Sequence, residues 1–320
     1  MSAVPASGNG GEAPRGQPLY DGPVVDAHHH VWDPRNNRYP WLRPEVSIPF
    51  RYGDYSAIKR PYLPDDYRRD AAGQNIRATV YMEAEWDPED PIGETCFVTA
   101  LAEAHGLPDA MVAQAWLHHP DAATVLAAQA GFPLVRSVRH KPGGATSPEA
   151  AAAGERTLMS DERWRQGYAL LQGHGLHFDL QTPWWNLDEA GRLARDFPHT
   201  RIILNHTGLP ADRSEPALRA WHQAMSTLAE HANVAVKISG LGRPDHPWTP
   251  DDNRWIVRET VAMFGPQRAM FASNFPVDGL CVSLATLFDG FRVIVADLPP
   301  EDQHQLFHRT AEAIYRLDPL

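Results

Sequence analysis

Short apolar, β-branched runs alternate along the chain with longer stretches of mixed polarity. Eight runs stand out: "VVDAH" from Val24, "RATVYMEAE" from Arg77, "AMVAQAWLH" from Ala110, "PLVRSVRH" from Pro133, "HFDLQT" from His177, "RIILNHTG" from Arg201, "NVAVKISG" from Asn233 and "RAMFASNFP" from Arg268. Several are continuously apolar, which is how buried parallel strands read. Between them, "DAATVLAAQA" from Asp121 and "EPALRAWHQAMSTLAEH" from Glu215 carry helical spacing, with Ser214 as N-cap and Pro216 in the first turn. The stretch "PEDQHQLFHRTAEAIYRL" from Pro300 reads as a last amphipathic helix. Eight strand–helix units predict a (β/α)8 TIM barrel. A doubly wound open sheet is the runner-up, weakened because no Gly-rich phosphate loop follows the first strand.

Two segments stand outside this alternation. Residues 1–20, rich in Gly, Pro, Ala and Ser, read as a flexible tail ahead of a single barrel domain spanning 21–320. Residues 34–64 hold many prolines, aromatics and arginines with no clean period. Their aromatic content argues against disorder. A long loop after the first barrel strand lies at the catalytic face, so this insert is expected to be a lid. The connection "KPGGATSPEAAAAGERTLMS" after the fourth strand looks more flexible.

Composition narrows the class of partner. The net charge of −11 disfavours nucleic acid and anionic membrane surfaces. No run of eighteen apolar residues and no signal-peptide pattern is present, and two cysteines, Cys96 and Cys281, are too few for a disulfide framework. A cytoplasmic location is the expectation. A small-molecule substrate fits best, and the oligomeric state stays open, a homo-oligomer included.

In a barrel the chemistry sits at the C-terminal strand ends. Those ends are dense in polar groups: His28 and His30, Glu83 and Glu85, His118 and His119, Arg139 and His140, Asp179 and Gln181, Asn205 and His206, Lys237 and Ser239, Asn274 and then Asp278. Positions i and i+2 of an extended segment share a face, so His28 and His30 converge while His29 faces away. A lone histidine at such a place is more often a satisfied structural residue. Imidazoles and carboxylates at strand after strand around one mouth are harder to explain that way. Arg51, Arg60, Arg136, Arg139 and Arg213 are candidates for clamping a carboxylate, and for each a surface ion pair is the competing reading. Trp41 of the insert, His140, Gln181 and Lys237 join Arg139 as candidate substrate contacts.

"VVDAHHHVWDP", "FDLQT", "ILNHTGLP", "VKISGL" and "MFASNFPVD" resemble the amidohydrolase superfamily, in the branch of 2-pyrone-4,6-dicarboxylate and sugar-acid lactonases. The resemblance runs from Val24 to the final helix. It implies a metal-dependent-hydrolase-like barrel, with the family's paired histidines at His28 and His30 and its strand-six histidine at His206. The family's strand-eight aspartate falls on Asn274, a departure: asparagine cannot act as a base and is a poor zinc ligand. Asp278, Glu83 or a histidine is left as the candidate base. The resemblance leaves two states open: one divalent metal, zinc or manganese, on His28, His30 and His206, or metal-free catalysis. The implied activity is opening of a lactone of a small sugar acid or pyrone carboxylate by activated water. A metal-dependent aromatic-acid decarboxylase and a catalytically silent small-acid binding protein are the alternatives.

Overall fold

The computed structural model describes residues 18–318. Eight parallel strands run in sequence order: β1 (Val24–His29), β2 (Ile76–Met82), β3 (Ala110–Gln114), β4 (Val135–Arg139), β5 (His177–Leu180), β6 (Ile202–Leu204), β7 (Val234–Ile238) and β8 (Ala269–Phe271). The last strand meets the first. Asn274 N–H donates to His28 O and His30 N–H to Phe275 O, each at 2.7 Å. The result is a (β/α)8 TIM barrel. Its helices are α1 (Pro64–Asp70), α2 (Gly93–His105), α3 (Ala122–Ala130), α4 (Pro148–Ala152), α5 (Glu162–Gly173), α6 (Leu187–Asp196), α7 (Glu215–Ala229), α8 (Pro250–Phe264), α9 (Leu284–Ile294), α10 (Pro300–His304) and α11 (Thr310–Tyr315).

Alternation divides the strand side chains into two cores. Val25, Ala78, Val80, Val112, Ile203, Ala235 and Met270 pack in the barrel interior, joined by Ile314 and Tyr315 of α11. Val24, Phe178, Ile202, Leu204, Val234, Val236 and Phe271 pack outward under the helices. Each core excludes water from apolar side chains, at roughly 25 cal/mol per Å² buried.

β1 breaks this alternation once. Asp26 pairs with Thr79 and His29 with Tyr81, so β1 carries one residue more than β2 over that interval. This bulge resets the phase. Ala27 packs inside the barrel, His28 and His30 reach the mouth, and His29 packs outward on Tyr67 of α1, ring centroids 4.5 Å apart.

The segment 34–64 is built of short turns around buried Tyr39, Leu42, Tyr52, Tyr55 and Ile58. An antiparallel bridge between Trp32 and Tyr62 closes its base. The segment 141–160, expected to be the more flexible one, carries α4. It is also held by Glu189, which accepts from Thr157 N at 3.0 Å and from the Ser160 hydroxyl. The expected tail at 1–20 lies, for residues 1–17, outside the described residues. Tyr20, the last residue of that expected tail, stacks on Phe307 at 4.7 Å and is not part of a free tail. Among the described residues, no helix is long and apolar enough to cross a membrane.

Candidate active site

The barrel mouth gathers His28, His30, His206, Asn274, Asp278, Glu83 and Arg139, all buried. Their positions follow from where each strand stops. β6 and β8 are three residues each, shorter than the apolar runs suggest. Beyond them the backbone leaves extended geometry: His206 has φ 56°, Thr207 φ 50° and Asn274 φ 55°. Glu85, past β2, has φ 57°. Non-glycine residues in this left-handed region cost of order 1 kcal/mol each, and they concentrate here at one end of the barrel.

His30 has a defined tautomer. Its Nδ1 lies 2.8 Å from Met82 O, a carbonyl that only accepts, so Nδ1 carries the proton and Nε2 offers a lone pair. That lone pair faces His28 Nε2 at 3.3 Å and Asn274 Oδ1 at 3.4 Å. Asn274 in turn donates Nδ2–H to Asp278 Oδ1 at 2.7 Å. Asp278 also accepts from Tyr52 OH at 2.8 Å and from Gly240 N at 3.0 Å, and pairs with Arg51 at 3.4 Å. His206 stands beside His28, ring centroids 4.7 Å apart, with Nδ1 2.9 Å from Ser239 Oγ.

The field around these groups is positive and dry. Burial holds His28, His30 and His206 well below the ordinary imidazole value. Next come repulsion from His206 and Lys237 on His28, from Arg139 on His30, and from Arg51 and Arg139 on His206. All three are neutral at physiological pH. Burial raises the Asp278 carboxyl, against the opposing pull of Arg51 and its hydrogen bonds.

Glu83 is committed elsewhere. Its Oε1 takes Arg139 Nε–H, and its Oε2 accepts from Glu85 N at 2.8 Å. Arg139 also donates to Gln181 Oε1 at 2.9 Å and to Glu83 O at 2.6 Å. The Glu83–Arg139–Gln181 chain thus forms one wall across three strands. Lys237 pairs with Asp179 at 2.8 Å, outside hydrogen-bonding angles, in a fully buried layer where Asp179 also accepts from Asn205 and Tyr315. Lys237 therefore holds an acid inside the barrel. His140 Nδ1 accepts from Trp164 Nε1 at 2.9 Å and Leu117 N at 3.2 Å, and burial pushes its imidazole down to about 3. Trp41 gives its Nε1–H to Ala84 O at 2.8 Å and stacks on Phe50. Both residues brace the mouth's rim. Arg60 and Arg136 bond backbone carbonyls close by in sequence. Arg213 reaches Leu241 O at 3.2 Å and Asn253 Oδ1 at 3.3 Å.

Sequence reasoning passed over two supports. Asp26, at the foot of the histidine pair, accepts from Ser273 Oγ at 2.6 Å, Tyr67 OH at 2.7 Å, Ser273 N at 2.8 Å and His28 N at 3.2 Å. It ties β1 to the loop that carries Asn274. An aspartate inside an apolar run was the available signal. Tyr52 had no signal, because its role depends on how the insert folds back over Asp278.

The donors at the mouth do not make up a ligand set for a divalent ion. His28 Nε2 and His30 Nε2 lie at a separation two ligands of one ion can have, but the oxygen beside them is a neutral amide. Glu83 and Asp278 are already held by Arg139 and by Asn274 and Tyr52. Among the described residues, no three His, Cys, Asp or Glu side chains form a group that could hold a metal. A catalytic zinc asks for three protein ligands, so the His28, His30 and His206 set expected from the sequence does not fit one as it stands.

Comparison with known proteins agrees with the barrel. An uncharacterised protein of Sinorhizobium fredii, y4mH, is 39% identical over 294 residues, covering 92% of this chain and 98% of its own. An L-fucono-1,5-lactonase of Burkholderia multivorans is 29% identical over 312 residues, covering 92% and 96%. The crystal structure of an amidohydrolase from Burkholderia multivorans, with bound zinc, superposes with a TM-score of 0.77 at 26% identity, covering 93% and 100%. The amidohydrolase family model matches residues 25–317. The chain belongs to the amidohydrolase family.

Proposed function

We propose that this protein is a hydrolase that opens the ring of a small carboxylated or polyhydroxylated lactone. The observation that carries the reading is the His30 Nδ1–H bond to Met82 O, which leaves a neutral imidazole lone pair at the mouth, with Asn274 and the buried Asp278 carboxylate beside it. The lactonase relative supports the substrate class.

In this reading water attacks the ring carbonyl carbon while His30 Nε2 takes its proton. The imidazolium so formed can donate to Asn274 Oδ1, and the Asn274 amide is polarised by donating to Asp278. The tetrahedral intermediate then breaks its bond to the ring oxygen. That oxygen receives the proton from His30, and the product is a hydroxy acid. In this reading Asn274 lies between base and carboxylate, and the carboxylate that the family pattern leads one to expect at position 274 is supplied four residues further on, by Asp278.

Ring opening of sugar-acid lactones and pyrone carboxylates, followed by proton release, tests the proposal. Turnover by the native chain and its loss in His30→Ala is the expected result, with activity kept after metal chelation. No lactone opening above background, with or without added zinc or manganese, overturns it. Carbon dioxide release from an aromatic acid instead would establish the decarboxylase alternative.

A further inference from the structure

The insert 34–64 delivers one cation to the mouth. Arg51 Nη2 lies 3.4 Å from Asp278 Oδ1, and the guanidinium lies over the Tyr52 ring at 4.5 Å. Arg51 Nη1 is buried and has no hydrogen-bond partner. An unpaired guanidinium N–H away from water is costly, so such a donor marks a place where a ligand oxygen belongs. Gly240 makes room for it. A Cβ there would sit 2.7 Å from Arg51 Nη2 and 2.8 Å from the His206 ring, and its φ of +64° disfavours any side chain. Arg51 is therefore seated directly against His206 and Asp278, in a slot only glycine leaves open. Arg139, the other cation of the mouth wall, spends its donors on Glu83 and Gln181.

We propose that Arg51 Nη1 binds the substrate's carbonyl oxygen and takes up its negative charge as the oxyanion forms. It serves as the electrophile in a site whose donors do not suit a metal. The inference rests on the lactonase reading for its reaction. The geometry also makes a claim about binding: when the ring opens, that oxygen becomes part of the product carboxylate, so Arg51 holds the ring-opened acid as well. A charge-assisted hydrogen bond from a preorganised, partly buried guanidinium is strong in both states and stronger on the oxyanion.

The experiment compares the full chain with Arg51→Gln, Arg51→Lys and Gly240→Ala. Each is checked for folding by circular dichroism, then assayed on L-fucono-1,5-lactone and titrated with L-fuconate by calorimetry. Arg51→Gln is expected to lower kcat by about 10²–10³-fold with KM within a few-fold, and to weaken L-fuconate binding at least tenfold. Arg51→Lys should fall between, and added guanidinium should restore part of the Arg51→Gln rate. Gly240→Ala should reproduce the kcat loss by displacing the guanidinium. A kcat for Arg51→Gln within threefold of the native chain, or L-fuconate binding that is absent from the native chain or unchanged by the substitution, overturns the inference. If the native chain opens no lactone but loses L-fuconate binding with Arg51→Gln, the lactonase reading falls and Arg51 keeps its role as the anion contact.

Discussion

Asn274 donates Nδ2–H to Asp278 at 2.7 Å and turns its Oδ1 toward His30 Nε2 at 3.4 Å, so one amide stands between an imidazole and a buried carboxylate and can accept from that imidazole once it is protonated. The asparagine that breaks the family pattern is thus a connector. Residues acting as one unit lose their effect together. Asn274→Ala and Asp278→Asn should each lower kcat on a lactone substrate by about 10–10³-fold, and the double variant should be little worse than the weaker single. A double-mutant cycle on kcat checks this, and full additivity would break the proposed connection.

Acid should destabilise the fold through its buried histidines. Burial pushes His29 and His140 down to about 3 from an ordinary value of 6.5. Between those values the unfolded chain binds protons that the folded chain refuses, so stability is full above about 6.5 and falls as pH drops toward 3. Each such histidine contributes a slope of about 1.4 kcal/mol per pH unit in that window. His29 makes no side-chain hydrogen bond and packs on Tyr67 and Tyr81. His29→Phe should flatten the slope by about one proton, measured by urea unfolding from pH 7 to pH 4.

The Glu83–Arg139 pair is almost wholly buried, with side chains 4% and 3% exposed. Removing one partner leaves an uncompensated charge. Arg139→Met should cost about 3–5 kcal/mol of stability, and the combination with Glu83→Gln should recover much of it. Chemical denaturation of the single and the double variant beside the native chain reads this directly. Equal stability of Arg139→Met and the native chain would contradict it.

Glycine inside a helix usually gains stability on change to alanine, by roughly 1 kcal/mol. Gly167 in α5 should behave in the opposite way. A Cβ there would lie 2.0 Å from the Leu117 carbonyl oxygen, which is backbone and cannot swing aside. Gly167→Ala should therefore lower Tm, at a cost of about 1–3 kcal/mol from overpacking. A raised Tm would show that α5 moves freely.

The barrel was legible because its physics is local and repeated. Buried parallel strands need apolar residues on both faces, and eight such runs at strand–helix spacing leave little choice of architecture. The shared face of His28 and His30 was equally legible, since alternation depends only on neighbours along the chain. The bulge in β1 was not. It arises from the pairing of Asp26 and His29 with Thr79 and Tyr81, partners some fifty residues away. Strand lengths were overestimated at β6 and β8, where Asn205 to Gly208 and Ala272 to Pro276 leave the sheet to form the mouth.

Composition and order along the chain determined the fold class, the family resemblance and the ring of polar strand ends. Tertiary structure alone decided what each polar group is paired with. Glu83 is taken by Arg139, Lys237 by Asp179, and Asp278 by Asn274, Tyr52 and Arg51. All of these pairs except Asn274–Asp278, which lies within the loop after β8, join different strands or loops. The reason is physical: a hydrogen bond is made or lost over fractions of an ångström, and such distances depend on closure of the whole barrel and on how the insert folds across it.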